Sequence, residues 1–452
     1  MQRDERGHPM TTDSAEAARA LDLAIHNFLH WRAAIMPNIQ AALAADPGFG
    51  FGHVVLGLVL HGARNAHYRG KIGQAVAAAQ AAAARMTARE RLYLAALEAV
   101  HRGALADSVA CYELILEQHP HDLFAQRLAQ MELFWIGEMA WSAAISAAVH
   151  PHWTPDVPSY GIHLSCRAFD LEETHHFAAA ESLARRAVGI DPTDVWGTHA
   201  VAHVLIMEGR YAEGVDWLDG LKDNWAEANQ MQLHLWWHRC LFHLELRDYD
   251  AVLGIYDRWV RNRDLPLLQA VPDLYIDLQN GASMLLRLEL RGVDVGDRWA
   301  ELAELTLNRI GDHTSPFTSA HFAAILAATG HDGQAATLVD AMQRFAHDDD
   351  GTLAPRYAIA GIPAAKAAIA HRAGDHGRVI ELLLPARRML WLMGGSHAQR
   401  DLFFLLLADS AMKARRDDVL GIVLRDIAAA GFADPAGRVG YSAVAARLAA
   451  AE

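Results

Sequence analysis

Helix-forming segments recur along the whole chain, and this recurrence constrains the fold more than any other feature. Ala- and Leu-rich stretches with helical spacing alternate with short turns that contain Gly, Asp or Pro. Alternating β-branched runs and Asn-Gly hairpin turns, the usual signals of strands, are nearly absent. The sequence therefore predicts an all-α repeat protein.

Several segments fit the tetratricopeptide pattern of about 34 residues, in which Gly separates two helices and small residues mark their crossing. Thr87–Asp122 fits, with Gly103 as its turn. Ala168–Asp194 and Phe51–Ala84 also fit, and Gly70 is read as the turn glycine of the latter. We predict a tetratricopeptide-like α-solenoid of about ten to twelve helical hairpins, coiled as a right-handed superhelix that encloses a concave groove.

The expected domain organisation is simple. Residues 1–14 lack a helical pattern and are expected to be a disordered N-terminus, followed by one solenoid domain over residues 15–445. Three stretches interrupt the helical series and are interpreted as long loops between repeats: His150–Tyr160, Asp264–Pro272 and His347–Pro355.

Charge and composition exclude several classes of partner. Lys and Arg number 40 against 54 Asp and Glu, a formal charge of -14, which argues against a nucleic-acid partner because such a partner requires a basic surface. The apolar stretches reach about ten residues where a membrane span needs about 20, so no membrane partner is expected. The N-terminus has no apolar signal-peptide region, and the three cysteines are scattered; both features predict a cytoplasmic protein.

Histidine is abundant, with 26 residues, and three pairs stand four apart on apolar helices. These pairs are His26 and His30, His199 and His203, and His234 and His238. Four-residue spacing places both members of a pair on one helix face. Each pair lies on the first helix of its hairpin, and first helices line the concave surface of tetratricopeptide stacks. We predict that the last two pairs face one cavity, with imidazoles within about 10–12 Å of one another.

Three interpretations of these histidines stay open. They could be hydrogen-bonded residues of the helical core, the lining of a ligand pocket, or ligands of a divalent metal. No His-Glu-x-x-His, P-loop, Gly-x-Gly-x-x-Gly or Gly-x-Ser-x-Gly motif occurs, so no motif requires a cofactor, and no metal site is assigned. The adjacent Trp236 and Trp237 are expected to point in different directions, because neighbouring helical residues diverge by about 100°.

Three blocks of sequence resemble the tetratricopeptide repeat protein 38 family. They are Thr198–Tyr211, His234–His238 with Phe242–Glu245, and Gly394–Asp401. The resemblance extends from about Ala15 to Ala430 and implies an α-solenoid and a soluble protein, but no activity. Its motifs concentrate on His, Asp and Arg of the inner helices, which favours a pocket over simple packing.

The function favoured by the sequence is binding of a peptide or a small polar ligand in the histidine-rich groove. The alternative is an enzyme, a hydrolase or lyase acting on a small metabolite, with inner His, Asp and Arg side chains as general acid and base. The candidate ligand-binding residues are the following: His26, His30, His53, His163, His199, His203, His234, His238, Asp273, Asp277, His397, Arg400 and Asp401.

One local prediction concerns Gly394 to Asp401. The two glycines should form a turn before a helix capped by Ser396. Arg400 would then be available to an anionic ligand group, or to Asp273 or Asp277.

Overall fold

The computed structural model describes residues 1–450, and this part of the chain is almost entirely helical. Its only strands are the two-residue segments Gln2–Arg3 (β1) and Pro9–Met10 (β2), which pair antiparallel with Gln2 opposite Met10. The predicted all-α class, built of successive helical hairpins, is confirmed. None of the helices between residues 1 and 450 is long and apolar enough to cross a membrane.

The chain forms two compact units. The first comprises Met1–Val201 and Asp223–Met231, and the second comprises Ala202–Lys222 and the chain from Gln232 onward. A single domain over residues 15–445 stays a prediction, because separate compact parts are compatible with one continuous helical stack.

The first unit is a series of five helical hairpins, in which each odd-numbered helix packs on the helix that follows it. Short 3-10 turns at Ala66–Tyr68, Ala83–Arg85 and His150–His152 lie between consecutive helices. The helices are α1 (Ala15–Leu29), α2 (Ile35–Ala45), α3 (Gly50–Gly62), α4 (Arg69–Ala82), α5 (Ala88–His101), α6 (Leu105–Gln118), α7 (Leu123–Ile136), α8 (Met139–Val149), α9 (Tyr160–Glu173), α10 (Phe177–Ile190) and the beginning of α11 (Val195–Met207).

Small residues and caps explain how these hairpins form. Ala180, Ala184 and Ala187 make one fully buried stripe on α10, which lets this helix approach α9 closely. Thr87 caps α5 and forms a capping box with Glu90.

The turn glycines were only partly identified from the sequence. Gly103 adopts φ 82° between α5 and α6, a left-handed conformation that glycine takes without steric cost. Gly70, however, lies inside α4. The turn before α4 contains Arg64 at φ 47° instead.

The N-terminal residues, for which disorder was expected, are held against the first unit. Thr11 donates its backbone N–H to Glu90 Oε1 at 2.8 Å, and the Thr12 hydroxyl donates to Asp46 Oδ2 at 2.6 Å. The two residues that follow β2 therefore donate hydrogen bonds to carboxylates at the start of α5 and at the end of α2.

The second unit continues with hairpins of the same kind. The helices after α11 are α12 (Tyr211–Leu221), α13 (Met231–Glu245), α14 (Tyr249–Ile255), α15 (Pro266–Ala270), α16 (Tyr275–Glu289), α17 (Trp299–Thr306), α18 (Pro316–Ala328), α19 (Asp332–Asp348), α20 (Ala354–Arg356), α21 (Ile362–Arg372), α22 (His376–Ala386), α23 (His397–Lys413), α24 (Asp417–Ala429) and α25 (Val439–Ala449). Helices α18, α21, α22, α23 and α24 pack in succession.

Two stretches that were expected to be loops are partly helical. The stretch 264–272 contains α15, and α20 begins at the end of the stretch 347–355. π-Helical turns at Tyr256–Val260 and Tyr357–Gly361 follow α14 and α20.

Candidate functional site

Two histidines of α13 face each other inside the second unit. His234 and His238 lie one helical turn apart, and their Nε2 atoms are separated by 3.2 Å. Both side chains are buried. The distance fits an N–H···N hydrogen bond, so one ring donates the proton and the other accepts it.

His203 of α11 joins this pair. The centroid of its ring lies 4.6 Å from that of His238. One ring nitrogen from each of His203, His234 and His238 lies within 4.8 Å of the other two. These three residues are called the histidine cluster below. The spacing is tighter than the expected limit of about 10–12 Å.

Asn280 of α16 fixes the protonation pattern of the pair. Its Oδ1 lies 3.2 Å from Nδ1 of His234. Because an amide oxygen only accepts, His234 carries its proton on Nδ1 and presents a lone pair on Nε2. His238 is then the donor between the two rings. The four-residue spacing of the pair was visible in the sequence, whereas the contribution of α16 was not.

Trp237 holds the plane of the His234 ring. The two rings stack with centroids 5.2 Å apart and an interplanar angle of 10°. Its neighbour Trp236 stacks instead on Trp259, at 4.9 Å and 7°. The two adjacent tryptophans therefore point in different directions, as their positions on one helix predict.

Two buried donors next to His234 have no hydrogen-bond partner among the described residues. They are the indole Nε1 of Trp237 and the amide Nδ2 of Asn280. A buried donor without a partner is rare in folded proteins and calls for an explanation.

Burial sets the charge state of the two histidines on α13. Burial, followed by the neighbouring His203, lowers the pKa of His234 to about 3. Burial and the two other histidines hold the pKa of His238 well below its ordinary value. Neutral imidazoles can accept hydrogen bonds or coordinate a metal ion, and both roles require the unprotonated nitrogen.

His199 lies in the first unit, one turn before His203 on α11. It is buried and packs between two aromatic rings, with centroids 5.4 Å from Phe169 and 4.8 Å from Trp196. His199 and His203 thus stand four residues apart on one helix, as the sequence predicts.

The remaining candidate histidines of the first unit occupy separate places. His26 and His30 stack with centroids 4.2 Å apart, next to Glu5 and Asp191 respectively. His53 is half-buried, and its Nε2 lies 2.9 Å from the carbonyl oxygen of Pro47.

His163 belongs to another buried group. Its Nδ1 lies 2.9 Å from Gln126 Oε1, and its Nε2 lies 3.0 Å from Nδ1 of His150. The ring stacks on Trp153 at 4.5 Å with an interplanar angle of 2°. Burial and the charge of His150 lower the pKa of His163 to about 3. Both nitrogens of His163 are thus engaged within the protein.

The two candidate aspartates near α16 differ in their surroundings. Asp273 forms an ion pair with Arg309 at 3.3 Å. Asp277 is buried, and neither of its carboxylate oxygens accepts a hydrogen bond from the residues described. Burial raises the pKa of Asp277 to about 7, against the opposing charge of Arg261, while Glu301 raises it further.

The capped start of α23 forms as predicted, with Gly394 and Gly395 at φ 80° and 79° and Ser396 as the cap. His397 is half-buried in the first turn. The Arg400 guanidinium donates to the carbonyl of Gly395. Arg400 is therefore bonded to the turn itself, and its expected contact with an anionic ligand group, Asp273 or Asp277 stays a prediction.

Asp401 is the centre of a buried ion-pair network. Arg438 donates to its two oxygens at 3.0 and 2.7 Å, and the Tyr441 hydroxyl donates to Oδ1 at 2.7 Å. Arg287 lies 3.5 Å away on the other side. A carboxylate surrounded in this way joins α23, α25 and α16, and this favours a structural role over ligand binding.

Sequence reasoning missed Asn280, Arg438 and Tyr441. Each lies on a helix remote in sequence from its partner, so no spacing rule could connect them. Only a weak signal in the sequence pointed to Asn280, which lies three residues after Asp277 and therefore on the same side of α16.

A further group of possible metal ligands lies on the surface of the second unit. His371, His376 and Asp409 offer nitrogen and oxygen atoms within 4.8 Å of one another, and all three are partly exposed. His371 Nε2 lies 2.6 Å from Asp409 Oδ2, and Lys413 Nζ lies 2.8 Å from the same oxygen. This carboxylate already has two partners.

Comparisons with known proteins add little beyond the fold. The chain matches no protein-family model. The crystal structure of the yeast Tom70 is similar to it, with a TM-score of 0.36 and 13% sequence identity over 96% of this chain and 87% of that chain.

Proposed function

We propose that the protein is a helical-repeat binding protein whose second unit holds a small polar ligand, or a polar group of a bound peptide, at the histidine cluster. The observation that carries this proposal is the pair of buried donors beside His234: Trp237 Nε1 and Asn280 Nδ2 donate to no described residue. Each such donor costs about 1–3 kcal/mol when it stays unsatisfied.

The chemistry of these groups narrows the ligand class. Two N–H donors recognise oxygen acceptors, such as those of a carbonyl, a carboxylate or a hydroxyl group. A buried location favours a small molecule or a single side chain over a long peptide, because a binding site usually encloses most of a small ligand's surface. A peptide partner, as predicted from the sequence, would reach this site with one anchoring side chain.

The test is a thermal-shift screen of the full chain against small carboxylates, sugars, amino acids and short polar peptides. A ligand present at about 100 times its Kd stabilises the folded state by about 2.7 kcal/mol, which raises the Tm measurably. Trp237→Phe and Asn280→Leu each remove one donor and should reduce the shift. Trp391→Phe is the matched control, because Trp391 is partly exposed on the same unit.

The outcome decides the proposal in either direction. If none of these probes raises the Tm, or if the shift is the same in Trp237→Phe and Asn280→Leu as in the wild type, the cluster is not a ligand site. A shift that falls in both variants and persists in Trp391→Phe supports it.

Acid–base catalysis is a second candidate function, favoured by Asp277. Its buried carboxyl has a pKa raised to about 7, chiefly by burial, and a general acid or base works best when its pKa is near the working pH. Compounds that shift the Tm are incubated with the wild type and with Asp277→Asn, and hydrolysis or elimination products are measured. Equal turnover by both proteins, or none by either, excludes this role.

A further inference from the structure

We propose that the histidine cluster binds a divalent transition-metal ion, with one imidazole nitrogen from each of His203, His234 and His238 as ligand. This inference rests on the proposed function, because the same side chains line the ligand site. It adds a metal whose free coordination position would take an oxygen of that ligand.

The separation of the nitrogens matches metal coordination. Zinc binds imidazole nitrogen at about 2.0–2.1 Å with tetrahedral geometry, which places two ligating nitrogens about 3.3–3.4 Å apart. The Nε2 atoms of His234 and His238 are 3.2 Å apart. An ion between them would replace the shared proton and separate the rings by only about 0.1–0.2 Å.

The surroundings prepare the nitrogens for this role. Asn280 Oδ1 accepts the Nδ1 proton of His234, and Trp237 stacks on the ring of His234. A metal-binding histidine usually donates its second N–H to such a partner, which fixes both the tautomer and the ring orientation. The lone pair of His234 Nε2 is thereby directed towards the position between the rings.

The third nitrogen completes the ligand set within the second unit. His203 comes from α11 and packs against His238 with centroids 4.6 Å apart. Three imidazole nitrogens suit zinc, copper, nickel or iron better than magnesium or calcium, which prefer oxygen ligands.

The protons balance on metal binding. His238 transfers the Nε2 proton that it shares with His234 to its own Nδ1, directly or through solvent, so the imidazole stays neutral and no other bond changes. Three protein ligands leave one position of a tetrahedral ion open. An oxygen of the polar ligand would occupy this position and offset part of the charge of the ion.

The experiment uses the full chain without a polyhistidine tag, treated with a chelator and then dialysed. Zinc is titrated calorimetrically, and cobalt serves as a spectroscopic probe of tetrahedral coordination. We expect one zinc ion per chain, a tetrahedral cobalt spectrum and a raised Tm. His234→Gln and His238→Gln should weaken zinc binding by about 100-fold or more, and Asn280→Leu by about 10–100-fold.

His371→Gln is the matched control for adventitious binding. This residue belongs to the partly exposed group with His376 and Asp409, so its substitution should leave the tight zinc site unchanged. Circular dichroism verifies folding. Should the glutamine variants not fold, Asn280→Leu decides, because it keeps all three proposed ligands and changes only their support.

Three results overturn the metal proposal: no zinc binding, zinc binding that survives the cluster variants, or zinc binding that is lost only in His371→Gln. The two proposals fail separately. If the wild type binds no zinc but a polar probe still raises the Tm in a Trp237-dependent way, only the metal is wrong. If zinc binds at the cluster while no polar probe shifts the Tm, only the ligand proposal is wrong.

Discussion

The Nε2 atoms of His234 and His238 lie 3.2 Å apart, so the two rings share a single proton. Because Nδ1 of His234 donates to Asn280, the shared proton belongs to His238. One amide on α16 thus determines the tautomers of two residues on α13.

We predict that side-chain ¹⁵N NMR of the metal-free protein will show His234 protonated on Nδ1 and His238 protonated on Nε2. Asn280→Leu removes the acceptor, and the two rings should then populate mixed tautomers. A His234 ring protonated on Nε2 in the wild type would contradict this arrangement.

Asp401→Asn should destabilise the protein by about 3–5 kcal/mol, because it removes the charge that compensates a buried arginine. Arg438 makes two bonds to this carboxylate, and both residues are buried. The measurement is urea-induced unfolding followed by circular dichroism.

Glu381→Gln is the control for the loss of a carboxylate. Glu381 pairs with Arg378 at 2.9 Å, but its side chain is 67% exposed. Exposed ion pairs contribute about 0–1 kcal/mol. Similar losses in Glu381→Gln and Asp401→Asn would show that the buried network carries no special stability.

Asp277→Asn should stabilise the protein above neutral pH. Burial raises the pKa of this carboxyl to about 7 in the folded state, with Arg261 and Glu301 as the charged neighbours, against a value of about 4 in the unfolded chain. The folded state therefore holds the proton more tightly, so the wild type is relatively most stable below about pH 4 and loses stability as the pH rises towards 7.

The expected gain from Asp277→Asn is roughly 4 kcal/mol at pH 8, falling towards zero near pH 4. Unfolding midpoints measured across this range give the difference. Asp350→Asn, at an exposed position after α19, should follow the wild-type profile. If the gain in stability of Asp277→Asn is the same at every pH, the ionisation of Asp277 is not its cause.

Gly214→Ala and Gly220→Ala should have opposite effects, although both glycines lie on α12. A Cβ at Gly214 would collide with the ring of Phe242, whereas one at Gly220 would meet nothing within 4 Å. Overpacking typically costs about 1–3 kcal/mol, while alanine in place of an unhindered helical glycine gains about 0.5–1 kcal/mol. Thermal unfolding of the two variants tests the close approach of α12 to α13 at Gly214.

Ser396→Ala should cost about 1 kcal/mol, because Ser396 Oγ accepts the backbone N–H of Gln399 and the Gln399 side chain accepts that of Ser396. Ser182→Ala, at an exposed position within α10, should be neutral or slightly stabilising. Equal Tm values for the two variants would mean that the cap is not needed for α23.

Local features of the fold could be predicted from the sequence because they depend on neighbouring residues. The cap at Ser396 and the helical position of His234 and His238 are examples. The β1–β2 hairpin was missed because each strand has only two residues, too few for an alternating pattern.

The candidate site could be predicted only in part. Helical spacing identified which histidines share a face, but it gave no information about which distant helix would pack against them. Asn280 lies 46 residues after His234, and Arg438 lies 37 residues after Asp401. Contacts between side chains so far apart in sequence depend on how whole hairpins pack. Patterns in a single sequence do not give this packing.

The position of Arg438 has a consequence for protein synthesis. Asp401 leaves the ribosome 37 residues before the arginine that neutralises it, an interval of roughly 2–7 s at about 5–20 residues per second. During this time the charged carboxylate favours contact with water over burial between α16 and α23. The helices that surround Asp401 can therefore close on one another only after Arg438 has been translated.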